Sequence, residues 1–228
     1  MIRKINTFIR LEHLLIQNSF LILTSTALGG ILGATTTVLL SRIMGPQDFG
    51  IFKTLTAFFG GLIYFLDFGF QNVLIKYTSQ FVAQKKDDKV RHLIQNLFCY
   101  RAIILIFIVS LSLLFKNDVA KIFLNDKDLS YLVYPSIIFS IITFLDLTRP
   151  IIIGLQNFRL LSAVNVTVPL VGLFILIPAA LYLGLPLTII ALGLTHLIGS
   201  LISVAFLIKR KYLLKSKDSL FKLPNLVF

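Results

Sequence analysis

Five charged side chains lie within long apolar runs, and four of them, two acids and two arginines, are the residues best placed to do chemistry. Asp67 closes the second apolar run and Arg101 lies inside the third. Asp146 and Arg149 are three residues apart in the fourth run, and hence on one face of a helix. An ionisable group in such a run is costly unless it has a partner or lines a water-filled cavity.

These residues support two hypotheses for a site. In the first, the two acids pair with the two arginines and hold neighbouring helices together. In the second, Arg101 and Arg149 face a cavity and bind an anionic substrate, since the guanidinium fork suits phosphate. Asp67 and Asp146 would then orient the arginines or stabilise a gate. Lys53, near the start of the second run, is a third candidate for substrate binding, unless it only extends to the membrane interface.

The composition is that of a membrane protein. Of 228 residues, 57% are hydrophobic and 14% are charged, and the mean hydropathy is +0.89. A soluble domain could not bury this much apolar surface in one core. The apolar residues form six runs, each long enough to cross a hydrocarbon core of roughly 30 Å as a helix. The sequence therefore predicts an all-α, polytopic membrane protein, a single unit over 1–228 whose spans are 19–40, 51–70, 93–115, 131–154, 160–183 and 187–208.

The segments between the runs are short. A polar turn is expected within 41–50, and the second helix is expected to extend as an amphipathic stalk over 70–84. The segment 116–130 is predicted to hold a short interfacial helix. Small residues in the first span, including Gly29 and Gly30, predict close packing against another helix.

The charged residues behind the net charge of +12 are distributed unevenly between the two sides of the predicted membrane helices. Most of the 22 Lys and Arg residues fall in segments on one side of the predicted helices, including 84–91 and the basic tail 209–228. The positive-inside rule then places both termini of a multi-pass plasma-membrane protein in the cytoplasm. The basic residues indicate contact with membrane lipids, and nucleic-acid binding is not expected.

No motif for covalent chemistry is evident. The sequence has no P-loop and no His-Glu-x-x-His or Gly-x-Ser-x-Gly motif, and Cys99 is its single cysteine. His196 is interpreted as a packing residue rather than a proton relay. Asn165 begins a glycosylation sequon, but it lies inside a predicted span and cannot be modified there. We expect no enzyme activity, no catalytic residue, no cofactor and no metal.

Three segments resemble a known family. Residues 39–52, reading LLSRIMGPQDFGIF, are similar to the first outer loop of polysaccharide-biosynthesis flippases of the MATE-like superfamily, which export O-antigen and lipid-linked oligosaccharides. Residues 66–70, reading LDFGF, resemble the Asp-x-Gly that closes the second helix of those proteins. Residues 154–159, reading GLQNFR, are similar to the segment that leaves their fourth helix.

The resemblance implies that the six helices form one lobe around half of a central cavity. A second six-helix lobe, either a missing C-terminal half or another subunit, would complete it, so this half-length chain is not expected to transport alone. The implied function is translocation of a lipid-linked oligosaccharide or polysaccharide repeat unit, carried on a polyprenyl diphosphate. The alternatives are a multidrug exporter of the same superfamily and a non-transporting membrane scaffold of a glycan-synthesis complex.

Overall fold

The computed structural model describes residues 2–67, 69–124 and 128–209, with side chains from residue 16 to residue 205 apart from 66, 87, 128 and 145. These residues form helices and short turns, without a strand among them, which confirms the all-α class. Of the predicted tail 209–228, only Lys209 lies within the described residues. The helices are α1 (Ile2–Leu66), α2 (Phe70–Ala83), α3 (Asp87–Leu114), α4 (Lys116–Leu124), a 3₁₀ turn (Asp128–Leu132), α5 (Val133–Leu145), α6 (Thr148–Gly154), α7 (Phe158–Tyr182) and α8 (Gly184–Lys209).

Five helices in the described chain are long and apolar enough to cross a membrane, so the predicted count of six is slightly off. The difference arises in Ile16–Phe65, a stretch of 50 residues that contains the predicted span 19–40 and residues 51–65 of the predicted span 51–70. The segment 41–50 is helical except at Gly45, where the chain kinks within the predicted polar turn. At 1.5 Å per residue the helical path along this stretch is about 75 Å, more than twice the thickness of the hydrocarbon core.

One residue, Gly45, divides α1 into two arms. Its backbone has φ 73° and ψ 173°, a conformation that glycine adopts without steric cost. Pro46 follows, and proline is well suited to the first position of a helix because that position needs no backbone donor. The N-terminal arm (residues before Gly45) and the C-terminal arm (residues 46–66) are named separately below.

The second predicted helix does not continue into 70–84 without interruption. The C-terminal arm ends at a turn that contains Asp67, and Gly69 has left-handed backbone with φ 77°. The backbone N–H of Gln71 donates to Asp67 Oδ2 at 3.3 Å, so the acid caps the start of α2. The amphipathic segment is helical as predicted, but it is a helix of its own.

The fourth predicted span, 131–154, is likewise two helices. α5 ends at Asp146, whose extended backbone (ψ 98°) stops the helix. Asp146 Oδ1 accepts a hydrogen bond from the backbone N–H of Thr148 at 2.9 Å, and α6 begins there. Such local side-chain bonds compete with the helix, which is why acids favour caps and turns. Both helix breaks therefore place a carboxylate at the start of the helix that follows.

The predicted interfacial helix within 116–130 is present as α4. Ala120 is buried and Val119 packs against the core, whereas Ile122 is 72% exposed. Phe123 stacks on Phe58 of the C-terminal arm, with ring centroids 4.1 Å apart. The ring contact attaches α4 to the bundle.

The buried apolar side chains form two separate cores. One lies among α2, α6 and the first half of α3, beside the basic α2–α3 turn; it is called the basic-end core. The other lies among the C-terminal arm, α5, α7 and α8. The basic-end core contains Leu74, Phe81, Val90, Ile94, Leu97, Leu147 and Ile151; the second core includes Leu40, Phe52, Leu55, Phe59, Leu132, Val133, Ile137, Leu176 and Ile189.

Glycines allow the closest helix contacts. A Cβ atom added to Gly29 in the N-terminal arm would lie 2.3 Å from the backbone oxygen of Asn165 in α7. A Cβ atom on Gly154 of α6 would lie 2.7 Å from Cβ of Thr78 in α2. A Cβ atom on Gly30 would meet nothing within 4 Å. The predicted close packing of the first span therefore depends on Gly29, and it joins the N-terminal arm to α7.

Candidate functional site

A cavity of about 370 Å³ lies where the N-terminal arm meets α6, α7 and α8. It is the place where polar side chains from separate apolar segments come together. Two other pockets, of about 410 and 480 Å³, are lined almost entirely by apolar side chains. The residues that line the polar cavity are Thr26, Gly29, Gly30, Asp146, Thr148, Arg149, Val164, Asn165, Val168, Pro169, His196 and Gly199.

Arg149 supplies the positive charge of this cavity. It lies in the first turn of α6, and its side chain is exposed. Its Nη2 donates to Asn165 Oδ1 at 3.3 Å, and Asn165 Nδ2 donates to Thr26 Oγ1 at 3.4 Å. These long hydrogen bonds connect α6, α7 and the N-terminal arm across the cavity. A guanidinium has five N–H donors, so most of those on Arg149 remain for an anionic ligand.

Asp146 also lines the cavity, but it does not form an ion pair with Arg149 in the described chain. Its Oδ1 accepts from both the backbone N–H and the hydroxyl of Thr148. An ion pair between the two charged residues of the fourth run is not formed, because the helix ends before Asp146 and the carboxylate caps α6 instead. As a result the arginine charge is not neutralised by direct contact.

Arg101 and Asp67 form an ion pair, which is one of the pairings that the first hypothesis allows. The Nη2 of Arg101 donates to Asp67 Oδ1, and the two residues are 2% and 8% exposed. The Nη1 of Arg101 donates to the backbone oxygens of Phe144, at 2.7 Å, and Asp146, at 3.4 Å. The guanidinium lies 5.0 Å from the Phe144 ring centroid. Arg101 is thus buried within the protein and does not line the cavity, and its role in substrate binding stays a prediction.

Lys53 lies apart from the residues that line the cavity. It is exposed on the C-terminal arm, and its Nζ is 5.4 Å and 5.9 Å from the ring centroids of Phe49 and Phe52. A cation at this distance from aromatic faces is stabilised by them. Among the three predicted substrate-binding residues, Arg149 alone lines the polar cavity.

Sequence reasoning missed three residues of this cavity. Asn165 was considered only as a glycosylation sequon, His196 was interpreted as a packing residue, and Thr26 was not singled out. The His196 ring does pack, with its centroid 6.4 Å from that of Phe139, but the residue also lines the cavity. The available signal was the amide of Asn165 and the imidazole of His196, since strongly polar side chains within apolar runs tend to face the interior of a bundle.

The arrangement is suited to binding rather than covalent chemistry. Arg149, the amide of Asn165 and the hydroxyl of Thr26 can donate to phosphate or sugar oxygens. No group of three His, Cys, Asp or Glu side chains that could hold a metal ion occurs among the residues that the structure describes. The cavity therefore presents the cation of Arg149, the carboxylate of Asp146 and several neutral polar groups within a largely apolar bundle.

Comparison with known proteins agrees with this membrane bundle. No curated protein sequence and no solved structure shows a significant match to the chain. The family model for polysaccharide biosynthesis proteins matches residues 15–227, which covers all five membrane-spanning candidates and every residue of the polar cavity. The chain is therefore a membrane protein that belongs to the polysaccharide biosynthesis protein family.

Proposed function

We propose that this chain is one lobe of a flippase that moves a lipid-linked oligosaccharide or polysaccharide repeat unit across the plasma membrane. The family match supports a role in polysaccharide synthesis or export. The polar cavity around Arg149 is the observation that carries the more specific proposal. In this proposal both termini are cytoplasmic, and a second six-helix lobe completes the passage.

The depth of the cavity supports a role in translocation. Asn165 follows Phe158, the first residue of α7, by seven residues, or about 10 Å along the axis. His196 is near the middle of α8. The cavity therefore lies within the apolar part of the bundle, where a diphosphate without partners would be expensive. A polar site at this depth lowers the barrier for a charged head group while the lipid tail remains in the bilayer.

Arg149 is the residue expected to bind the diphosphate. Its planar fork can contact two oxygens at once, which a lysine cannot reproduce. Asn165 and Thr26 would add neutral donors, and His196 would contribute to the cavity wall from α8. Translocation of this kind requires binding and a change of access, and no bond is made or broken by the chain.

The test is to introduce Arg149→Gln at the chromosomal locus that encodes this chain. A hydrogen-bonded charge contact is worth about 1.5–3 kcal/mol, so we expect surface glycan to fall at least ten-fold at normal protein abundance. Arg149→Lys should retain part of the activity, because it keeps the charge but loses the fork. Surface glycan would be measured by lectin binding, and protein abundance by immunoblot.

The matched control is Arg159→Gln, which removes an exposed arginine outside the cavity. It should leave surface glycan unchanged. Normal glycan display in Arg149→Gln would contradict the proposal. Unchanged glycan together with a loss of resistance to cationic drugs would favour the multidrug exporter instead.

A further inference from the structure

Arg101 connects the two helix breaks of the bundle. One side of its guanidinium donates to the carboxylate of Asp67, at the break between α1 and α2. The other side donates to the backbone oxygens of Phe144 and Asp146, at the break between α5 and α6. α2 and α6 also contact each other directly, with Gly154 against Thr78. A single buried side chain in α3 therefore fixes the starting points of two adjoining helices.

The second of these breaks determines where Arg149 lies. The carbonyl of Asp146 is bonded to Arg101, while its carboxylate caps the backbone of Thr148. Arg149 is the next residue, and its guanidinium reaches Asn165 in the cavity. A rotation of the peptide units around Asp146 would turn the first turn of α6, and with it the cation of the cavity. The path from Arg101 to Arg149 consists of two hydrogen bonds and a few residues of backbone.

We propose that Arg101 is a positioning residue for the polar cavity: by holding the α5–α6 break, it directs Arg149 toward Asn165 and so creates the positive potential at which an anionic head group binds. This inference rests on the proposed function for its biological meaning. It concerns a different residue and a different property, namely the local potential inside the cavity. Arg101 itself is 2% exposed and does not line the cavity, so its effect passes through the backbone.

The geometry requires arginine in particular. Contact with one carboxylate and two carbonyls needs several donors in one plane, which the guanidinium provides and an ammonium does not. A buried ion pair is by itself weak evidence for stability, since apolar side chains of similar volume often replace it without loss. The bonds to the backbone oxygens are the part of the arrangement that an apolar replacement cannot supply.

The experiment uses the single native cysteine of the chain. In a Cys99→Ser background, Gly30→Cys places a thiol in the cavity at a position where an added Cβ meets nothing within 4 Å. The protein in native membranes is labelled with anionic sulfonatoethyl and cationic trimethylammonium-ethyl methanethiosulfonates. The ratio of the two labelling rates reports the potential at the cavity. One unit charge several ångströms away changes such a ratio by about five-fold in water.

Arg149→Gln sets the reference and should lower the anionic-to-cationic ratio about five-fold. The decisive variant is Asp67→Asn/Arg101→Gln, which leaves the net charge unchanged but removes the fork that holds the break. We expect its ratio to fall to within about a factor of two of the Arg149→Gln value. Arg101→Lys, which keeps the charge, should give an intermediate ratio and confirms the role of the fork even if the double variant does not fold.

A second reporter separates a local from a global effect. Gln84→Cys lies in the exposed α2–α3 turn, and its ratio should not respond to any of these changes. The positioning role alone is overturned by the following result at Gly30→Cys. The labelling ratio falls in Arg149→Gln as expected, but it stays at the parental value in both the double variant and Arg101→Lys. If Arg149→Gln leaves the labelling ratio unchanged, the potential in the cavity does not depend on Arg149. That result contradicts the proposed function.

Discussion

Replacing Asp67 by leucine is expected to lower the free energy of unfolding by about 3–5 kcal/mol, because it leaves a buried guanidinium without its counter-ion. Arg101 is 2% exposed, so water cannot take the place of the lost carboxylate. The same change removes the acceptor for the backbone N–H of Gln71 at the start of α2. Unfolding of the purified protein in mixed micelles, followed by circular dichroism, measures the loss.

An ion pair of the same chemistry, in which the carboxylate is exposed, provides the control. Asp88 lies 3.8 Å from Arg91 on α3, and its side chain is 80% exposed. Asp88→Leu should change stability by no more than about 0.5 kcal/mol, since exposed pairs contribute little. The double variant Asp67→Leu/Arg101→Leu should recover part of the loss, because it removes the unpaired charge. An effect of Asp67→Leu no larger than that of Asp88→Leu would contradict the importance of the buried pair.

Gly29→Ala is expected to destabilise the bundle by about 1–3 kcal/mol, the usual cost of overpacking. The added Cβ would lie 2.3 Å from the backbone oxygen of Asn165, and backbone cannot move aside as a side chain can. The N-terminal arm and α7 would have to separate, which would also widen the cavity between Asn165 and Thr26. We therefore expect lower thermal stability together with weaker glycan export.

Its neighbour Gly30 is the matched control. Gly30→Ala adds the same methyl group to the same helix, but nothing lies within 4 Å of it. Alanine is the better helix former, so this change should be neutral or stabilise by about 0.5–1 kcal/mol. Thermal unfolding of the two variants side by side gives the comparison. Equal melting temperatures would show that the helices adjust at Gly29 without cost.

The apolar runs predicted the membrane helices well because hydropathy is a property of a whole segment. They could not predict how each helix ends. The polar turn expected within 41–50 is a kink at Gly45, since the polar residues on either side of it are compatible with a helix. The breaks at Asp67 and Asp146 were treated as charges inside spans. A carboxylate can instead cap the backbone of the helix that follows it, as both acids do, and hydropathy does not report this.

The candidate site was predicted only in part, for a related reason. Spacing indicated that Asp146 and Arg149 lie on one face of a helix, and charge indicated that the two acids pair with the two arginines without saying which acid pairs with which arginine. Which arginine would be enclosed and which would face a cavity depends on how α3 and α6 turn in the bundle. The contribution of Asn165 depends on α7 crossing the N-terminal arm, a contact between residues far apart in the sequence.

That crossing also has a consequence for how the protein is made. Ser162 in α7 donates to the backbone oxygen of Leu21, 141 residues earlier in the chain, and Gly29 meets Asn165 nearby. At roughly 5–20 residues per second, the ribosome needs on the order of 7–28 s to produce α7 after the N-terminal arm has emerged. During that interval the first helix resides in the bilayer with its small-residue face uncovered. The contact between the N-terminal arm and α7 therefore forms late in synthesis, after most of the other helices have been made.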